Sequence, residues 1–272
     1  MEIFADKIVI ITGGASGIGR ALGQELAARG AYVILADVNS QLLQETSGAI
    51  EKADYHVKSA VVDVSDFDSV KKLIDDTVSE HGRLDYLFNN AGIAIGGEAR
   101  DCAYDDWRKV IDVNLYGVVN GVVAAYPIMV KQGFGHIINT ASLAGLTPAV
   151  GEISYTASKY GVVGLSNALR VEGADLGVKV SVVCPGFIDT PIFQTSKLVN
   201  LDREKLLQLT PKRLSPEECA RVILRGVERN KATIVVTFLA KFLWILHRIS
   251  PGLVLLLWRY TIRRMREARI EE

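Results

Sequence analysis

The stretch Thr12-Gly13-Gly14-Ala15-Ser16-Gly17-Ile18-Gly19 decides the fold. It follows an apolar run, Lys7–Thr12, and opens an amphipathic segment, Ile18–Arg29. A glycine-rich junction between a buried strand and a helix is the first turn of a βαβ unit. The glycines at 13, 17 and 19 fall as GxxxGxG, not GxGxxG. The physical consequence is the same. Glycine permits a tight turn and lets backbone N–H groups approach a pyrophosphate at a helix N-terminus. Gly13, Ser16, Gly17, Ile18 and Gly19 then form a phosphate cradle; the alternative is an ordinary glycine-rich turn.

Further strand-like runs fall at Tyr32–Asp37, Lys58–Asp63, Leu84–Asn89, His136–Thr140, Val178–Cys184 and Ala232–Val236. Most are rich in Val and Ile with little period-2 alternation, the pattern of parallel strands buried on both faces. Helix-like segments lie between them, at Ser40–Lys52, Asp66–His81, Tyr104–Lys131 and Ser154–Leu176. The alternation predicts an α/β fold: a single Rossmann-type, doubly wound parallel sheet of about seven strands, with helices on both faces. This domain is expected to span 1–236. Residues 237–272 are expected to form an apolar and basic helical C-terminal extension. The stretch Phe187–Pro216 has no clear period and holds Pro191, Pro211 and Pro216. It reads as a lid or binding segment.

The chain has 272 residues, 31 basic and 31 acidic, so net charge gives no argument for a nucleic-acid partner. Cys102, Cys184 and Cys219 form neither a metal pattern nor a disulfide framework, and point to a reducing, cytoplasmic location. The segment before the first strand is too short and too charged for a signal peptide.

Two further features carry chemistry. Asp37 ends the second strand, where a carboxylate can accept both ribose hydroxyls of an adenosine and repel a 2′-phosphate. That favours NAD over NADP, although Arg20 offers some compensation. Asp63 ends the third strand, with Val64 after it, placed for the adenine amino group or as a helix N-cap. Tyr155 and Lys159 are four apart on a helix and share a face. The neighbouring ammonium is expected to lower the phenol pKa from about 10, so that the tyrosine can exchange a proton near neutral pH.

These motifs, together with Asn89-Asn90-Ala91-Gly92, Asn114, Ser142 and Pro185-Gly186, resemble the classical short-chain dehydrogenase/reductase family in order and spacing. The resemblance runs from about Lys7 to Val236. It implies Tyr155 as general acid in ketone reduction and general base in alcohol oxidation. Ser142 would hydrogen-bond the substrate oxygen, and Lys159 would tune the tyrosine and hold the nicotinamide ribose. Asn114 would hold a water that links Lys159 to solvent. The bland alternatives are a helix cap for Ser142, a kink for Asn114 and a solvated charge for Lys159. Asn90, Ala91 and Gly92 would line the adenosine side. Pro185 and Gly186 would pass the nicotinamide, with Ile188 and Thr190 at its carboxamide.

The same resemblance places the substrate among apolar side chains after the fourth, fifth and sixth strands, including Ala94, Leu143, Val150, Phe187 and Phe193. The expected activity is NAD(H)-dependent interconversion of a hydrophobic secondary alcohol and its ketone. The alternatives are a 3-oxoacyl-thioester reductase, which usually favours NADPH, and a non-catalytic NAD(H) sensor or scaffold. Glu152 reads as a loop carboxylate in solvent, or as a contact for a polar substrate group. The family's habit implies a homodimer or homotetramer. The tail is too interrupted by Lys241, Arg248 and Pro251 to span a bilayer. Three roles stay open for it: packing on the substrate lid, a subunit interface, or a membrane surface.

Overall fold

The computed structural model describes residues 3–270; Met1, Glu2, Glu271 and Glu272, included in the two expected segments, lie outside the described residues. The chain forms β1 (Ile8–Thr12), α1 (Gly17–Ala28), β2 (Tyr32–Asp37), α2 (Ser40–Glu51), β3 (Val57–Val61), α3 (Phe67–His81) and β4 (Tyr86–Asn89). A short β5 (Ile95–Gly96) precedes α4 (Tyr104–Ile111) and α5 (Gly117–Gln132). Then come β6 (Gly135–Thr140), α6 (Ile153–Gly173) and β7 (Val178–Cys184). The remainder comprises α7 (Ile192–Thr195), β8 (Lys197–Leu198), α8 (Arg203–Leu209), α9 (Pro216–Glu228), β9 (Thr233–Val235), α10 (Phe238–Ile249) and α11 (Pro251–Arg266).

Seven strands make one parallel sheet in the order β3-β2-β1-β4-β6-β7-β9. β1 is buried at every residue because helices cover both faces. One face packs Leu22, Leu26, Leu43, Ile223 and Leu224 from α1, α2 and α9. The other packs Val70, Ile74, Ala125, Met129 and Leu169 from α3, α5 and α6. The chain reverses direction across the sheet between β1 and β4, and the crevice beyond their carboxyl ends is where such sheets bind ligands.

The strands match the predicted runs within two residues at each end. β3 stops at Val61, two residues before the predicted Asp63, once Val62 N–H has bonded Asp37 O at 3.0 Å. The predicted long helix contains a π-helical turn at Asp112–Tyr116, between α4 and α5. Phe187–Pro216 is ordered as α7, β8 and α8, and α9 follows with no predicted counterpart. Its start is nevertheless written locally: Ser215 accepts from Glu218 N–H at 3.2 Å and Pro216 takes the first turn.

Two glycines test how tightly this frame is drawn. A Cβ on Gly19 would meet Gly13 O at 2.0 Å, whereas one on Gly48 would meet nothing. Gly19→Ala is expected to lower stability by about 1–3 kcal/mol through overpacking. Gly48→Ala, inside α2, should be neutral or raise it by up to about 1 kcal/mol. Urea-unfolding midpoints of the two variants check both signs.

Candidate active site

The carboxyl ends of the strands open into one cavity of about 930 Å³, at the large end of small-molecule sites. Its nucleotide end is built by the β1–α1 turn. Gly13 and Gly17 have φ of +64° and +52°, which side chains rarely adopt. α1 has no side-chain N-cap bond and no acidic residue in its first turn. Its leading N–H groups are therefore free for an anion. Gly13, Ser16, Gly17 and Ile18 line the cavity. Gly19 does not. Its Cα lies against the Gly13 carbonyl, so the missing side chain lets α1 approach β1 closely.

Asp37 is held by backbone donors, Ala15 N–H at 3.1 Å and Asn39 N–H at 3.0 Å. Its carboxylate lines the cavity beside Val38, and Arg20 is exposed outside it. Asp63 lines the wall with Val64 and accepts from Ser65 N–H at 2.9 Å. The cap of α3 is Asp66, not Asp63. Asn90, Ala91 and Gly92 line the opposite wall. Thr12 Oγ1 accepts from both Asn90 N–H and Ala91 N–H, at 3.0 and 3.1 Å, and Asn90 Nδ2 donates to Thr12 O at 3.1 Å. These bonds lock the loop after β4 to the glycine turn. Pro185, Gly186, Ile188 and Thr190 form the third side. The Ile188 N–H has no bonded partner among the described residues, while Asp189 N–H bonds Leu214 O. Thr190 Cγ2 would lie 3.0 Å from a Cβ on Gly17. A free helix N-terminus, a fixed carboxylate and an unbonded N–H at successive points along one groove fit an extended dinucleotide.

Tyr155 and Lys159 share the cavity face of α6, with Lys159 Nζ 5.5 Å from the phenol ring centroid. Lys159 is 3% exposed and donates to Thr140 O at 2.9 Å. It is not a solvated charge. Burial lowers its pKa to about 8. The Tyr155 phenol moves opposite to the expected direction. Burial raises its pKa, the Ser142 hydroxyl pulls it down, and Glu152 and the Cys184 thiol push it up further. Desolvation wins because the ammonium sits over the ring and bonds a backbone carbonyl.

Ser142 lines the cavity and accepts from Ala144 N–H at 3.1 Å, so it also caps the short turn after it. Asn114 is fully buried outside the cavity wall. Its Oδ1 accepts from Ile93 N–H at 2.8 Å, and its Nδ2 donates to Ile93 O at 2.9 Å and to Ser158 Oγ at 3.2 Å. It sits in the π-helical turn, a distortion common at functional sites. A Cβ on Gly92 would lie 3.2 Å from Asn114 Oδ1 and 3.4 Å from Lys159 Nζ, so both side chains face that glycine.

Of the residues expected at a substrate, Ala94, Leu143, Phe187 and Phe193 line the cavity; Val150 does not, while the preceding Ala149 does. Glu152 is also there. It is no solvent carboxylate: it precedes α6 half-buried, and burial raises its pKa to about 7. Lining residues beyond the sequence argument include Asp106, Lys109, Thr147, Lys197 and Trp258. Lys197 bonds Asp106 at 2.6 Å, a pairing no spacing reveals. Trp258 arrives from α11. The tail is latched there by Arg266 and Arg269 to Glu98, by Arg269 to Asp101, and by Asp202 N–H to Ala268 O at 2.8 Å.

Comparison with known proteins agrees with this geometry. Residues 7–199 match the family described as short chain dehydrogenase. The 3-oxoacyl-[acyl-carrier-protein] reductase FabG of Thermotoga maritima is 39% identical over 224 residues, covering 80% of this chain and 89% of that protein. Levodione reductase of Leifsonia aquatica is 38% identical over 204 residues, covering 74% and 76%. A crystal structure of a short chain dehydrogenase/reductase from Burkholderia phymatum in complex with NAD superimposes with a TM-score of 0.86 at 30% identity, covering 93% of this chain and 96% of that one. The cavity, its glycine cradle and the pairing of half-buried Tyr155 with buried Lys159 are thus those of a chain that belongs to the short-chain dehydrogenase/reductase family of oxidoreductases.

Proposed function

We propose that the protein is an NAD(H)-dependent oxidoreductase that interconverts a hydrophobic secondary alcohol and its ketone. The observation that carries this is the meeting of Tyr155 and Ser142 in one apolar cavity, with Lys159 buried behind them. Bound nicotinamide supplies or accepts the hydride. The chain's own residues do the rest. The Ser142 hydroxyl orients the substrate oxygen and stabilises its developing charge. Tyr155 is in its protonated form, the form a proton donor needs in ketone reduction. Lys159, with a pKa near 8, is placed to support the phenolate left behind. Asn114 positions the loop at Ile93 and stands beside Lys159.

The β1–α1 turn would hold the pyrophosphate, and Asp37 the adenosine ribose. Asp37, with exposed Val38 following and Arg20 outside the cavity lining, supports NAD over NADP. Ile93, Ala94, Leu143, Phe187, Phe193 and Trp258 support an apolar substrate. The likeness to the Thermotoga 3-oxoacyl reductase favours a second reading, a thioester reductase; Asp37 counts against the NADPH that such enzymes usually take. Apolar side chains on the π-helical turn, α5 and α6, Tyr116, Val123, Tyr160 and Val171, are exposed and support a homo-oligomer.

Tyr155→Phe is expected to lower kcat by at least about 10²-fold in a panel of ketones while NADH binding is retained. Wild-type protein that binds NADH but reduces none of the panel would instead favour a sensor. Asp37→Ala should shift the ratio of kcat/KM for NADH over NADPH toward NADPH by about 10-fold or more, read in parallel assays.

Glu152 gives a pH signature. Its folded pKa near 7 lies above the ordinary 4.5. The folded protein therefore binds more protons than the unfolded chain between these values, and stability falls as pH rises through that window. Glu152→Gln should flatten the decline and gain about 1–2 kcal/mol at pH 8, after discounting for partial exposure. Urea midpoints from pH 4 to 8 measure it.

A further inference from the structure

The outward faces of α10 and α11 are apolar and have no partner among the described residues. On α10, Phe238, Phe242, Ile245 and Ile249 recur at helical spacing, with Phe238 and Ile249 exposed by 85% and 77%. On α11, Leu253, Leu256, Leu257 and Tyr260 form a matching exposed stripe. Ile249 and Leu253 flank the Ser250–Pro251 corner, so the two stripes meet there. The inward faces are already used. Ala240, Leu243 and Trp244 pack on the core, and Val254 and Met265 are buried. Coverage of the core therefore does not account for the outer stripes.

Charge indicates what covers them. The two helices carry six Lys/Arg and no Asp or Glu. Arg264 pairs with Glu267 and Arg266 with Glu98. Lys241, Arg248, Arg259 and Arg263 have no acidic partner among the described residues, and all are exposed. Apolar stripes flanked by cations with no acidic partner among the described residues complement a surface with anionic headgroups over acyl chains. A second copy complements them poorly, because a two-fold interface would oppose this face with an identical one that also carries cations and no acid. Helices of 12 and 16 residues reach about 18 and 24 Å, short of the roughly 30 Å of a bilayer core. The hairpin would lie on a membrane, not cross it.

We propose that the α10–α11 hairpin docks the protein on an anionic lipid membrane. Trp258 on the same α11 lines the cavity. If the apolar substrate proposed above is correct, the docked face adjoins the wall through which a membrane-dissolved substrate enters.

The test is sedimentation of the full-length protein with phosphatidylcholine vesicles, with and without phosphatidylglycerol. The expected result is binding to the phosphatidylglycerol vesicles that weakens with salt. Arg259→Ala with Arg263→Ala should lower the partition coefficient by about 10-fold or more. Ile249→Glu with Leu256→Glu should abolish sedimentation while leaving reduction of a water-soluble ketone unchanged. Binding is read without turnover, so an inactive protein that still sediments supports docking even if the proposed reaction is wrong. Wild-type protein that stays in the supernatant with both vesicles overturns the proposal. So does a glutamate pair that turns a dimer into a monomer in sedimentation velocity while vesicle recovery is unchanged, which would assign the face to a second copy.

Discussion

A line of hydrogen bonds closes the carboxyl edge of the sheet, and the site depends on it. Lys159 Nζ donates to Thr140 O, Thr140 Oγ1 to Asn90 Oδ1, and Asn90 Nδ2 to Thr12 O. The line runs from α6 across β6 and β4 to β1. Parallel strands end with carbonyls that have no further ladder partner, and buried carbonyls need one. Side chains supply it here, and in doing so they place Tyr155, Lys159 and the glycine turn in one rigid frame. Proton and hydride chemistry demand positioning to fractions of an ångström. The bonds that satisfy the sheet edge provide it.

The same frame sets the electrostatics. An ammonium is taken out of water, and its pKa falls to about 8; a carboxyl nearby rises to about 7. The Tyr155 phenol between them is pushed toward its protonated form. All three shifts have burial as their largest cause, each disfavouring the charged state. The cavity thus holds two groups whose pKa values lie near neutral pH and a phenol that keeps its proton there.

α11 joins this frame from outside the sheet. Its inner residues complete the cavity wall through Trp258, and its end is latched by arginines to Glu98 and Asp101. Packing on its own domain is therefore one real role of the tail. It leaves the outer stripes unexplained, which is why one segment carries both a packing role and a proposed docking role.

The order of strands and helices was legible because its cause is local. Buried parallel strands must be apolar, covering helices amphipathic, and the first turn must be glycine. Motifs of short span, Gly13–Gly19, Asp37 and Tyr155 with Lys159, were legible for the same reason, and the Ser215–Glu218 box could have announced α9. Three things required the tertiary structure. Gly19 proved a packing residue because only the fold shows what its missing side chain would strike. The Tyr155 pKa moved up because desolvation depends on everything packed around the phenol, not on one neighbour at i+4. Asp106, Lys109, Lys197 and Trp258 became cavity residues because elements distant in sequence converge there. Local spacing thus determined which residues could do chemistry; burial and long-range packing decided their charge, their partners and the shape of the space they face.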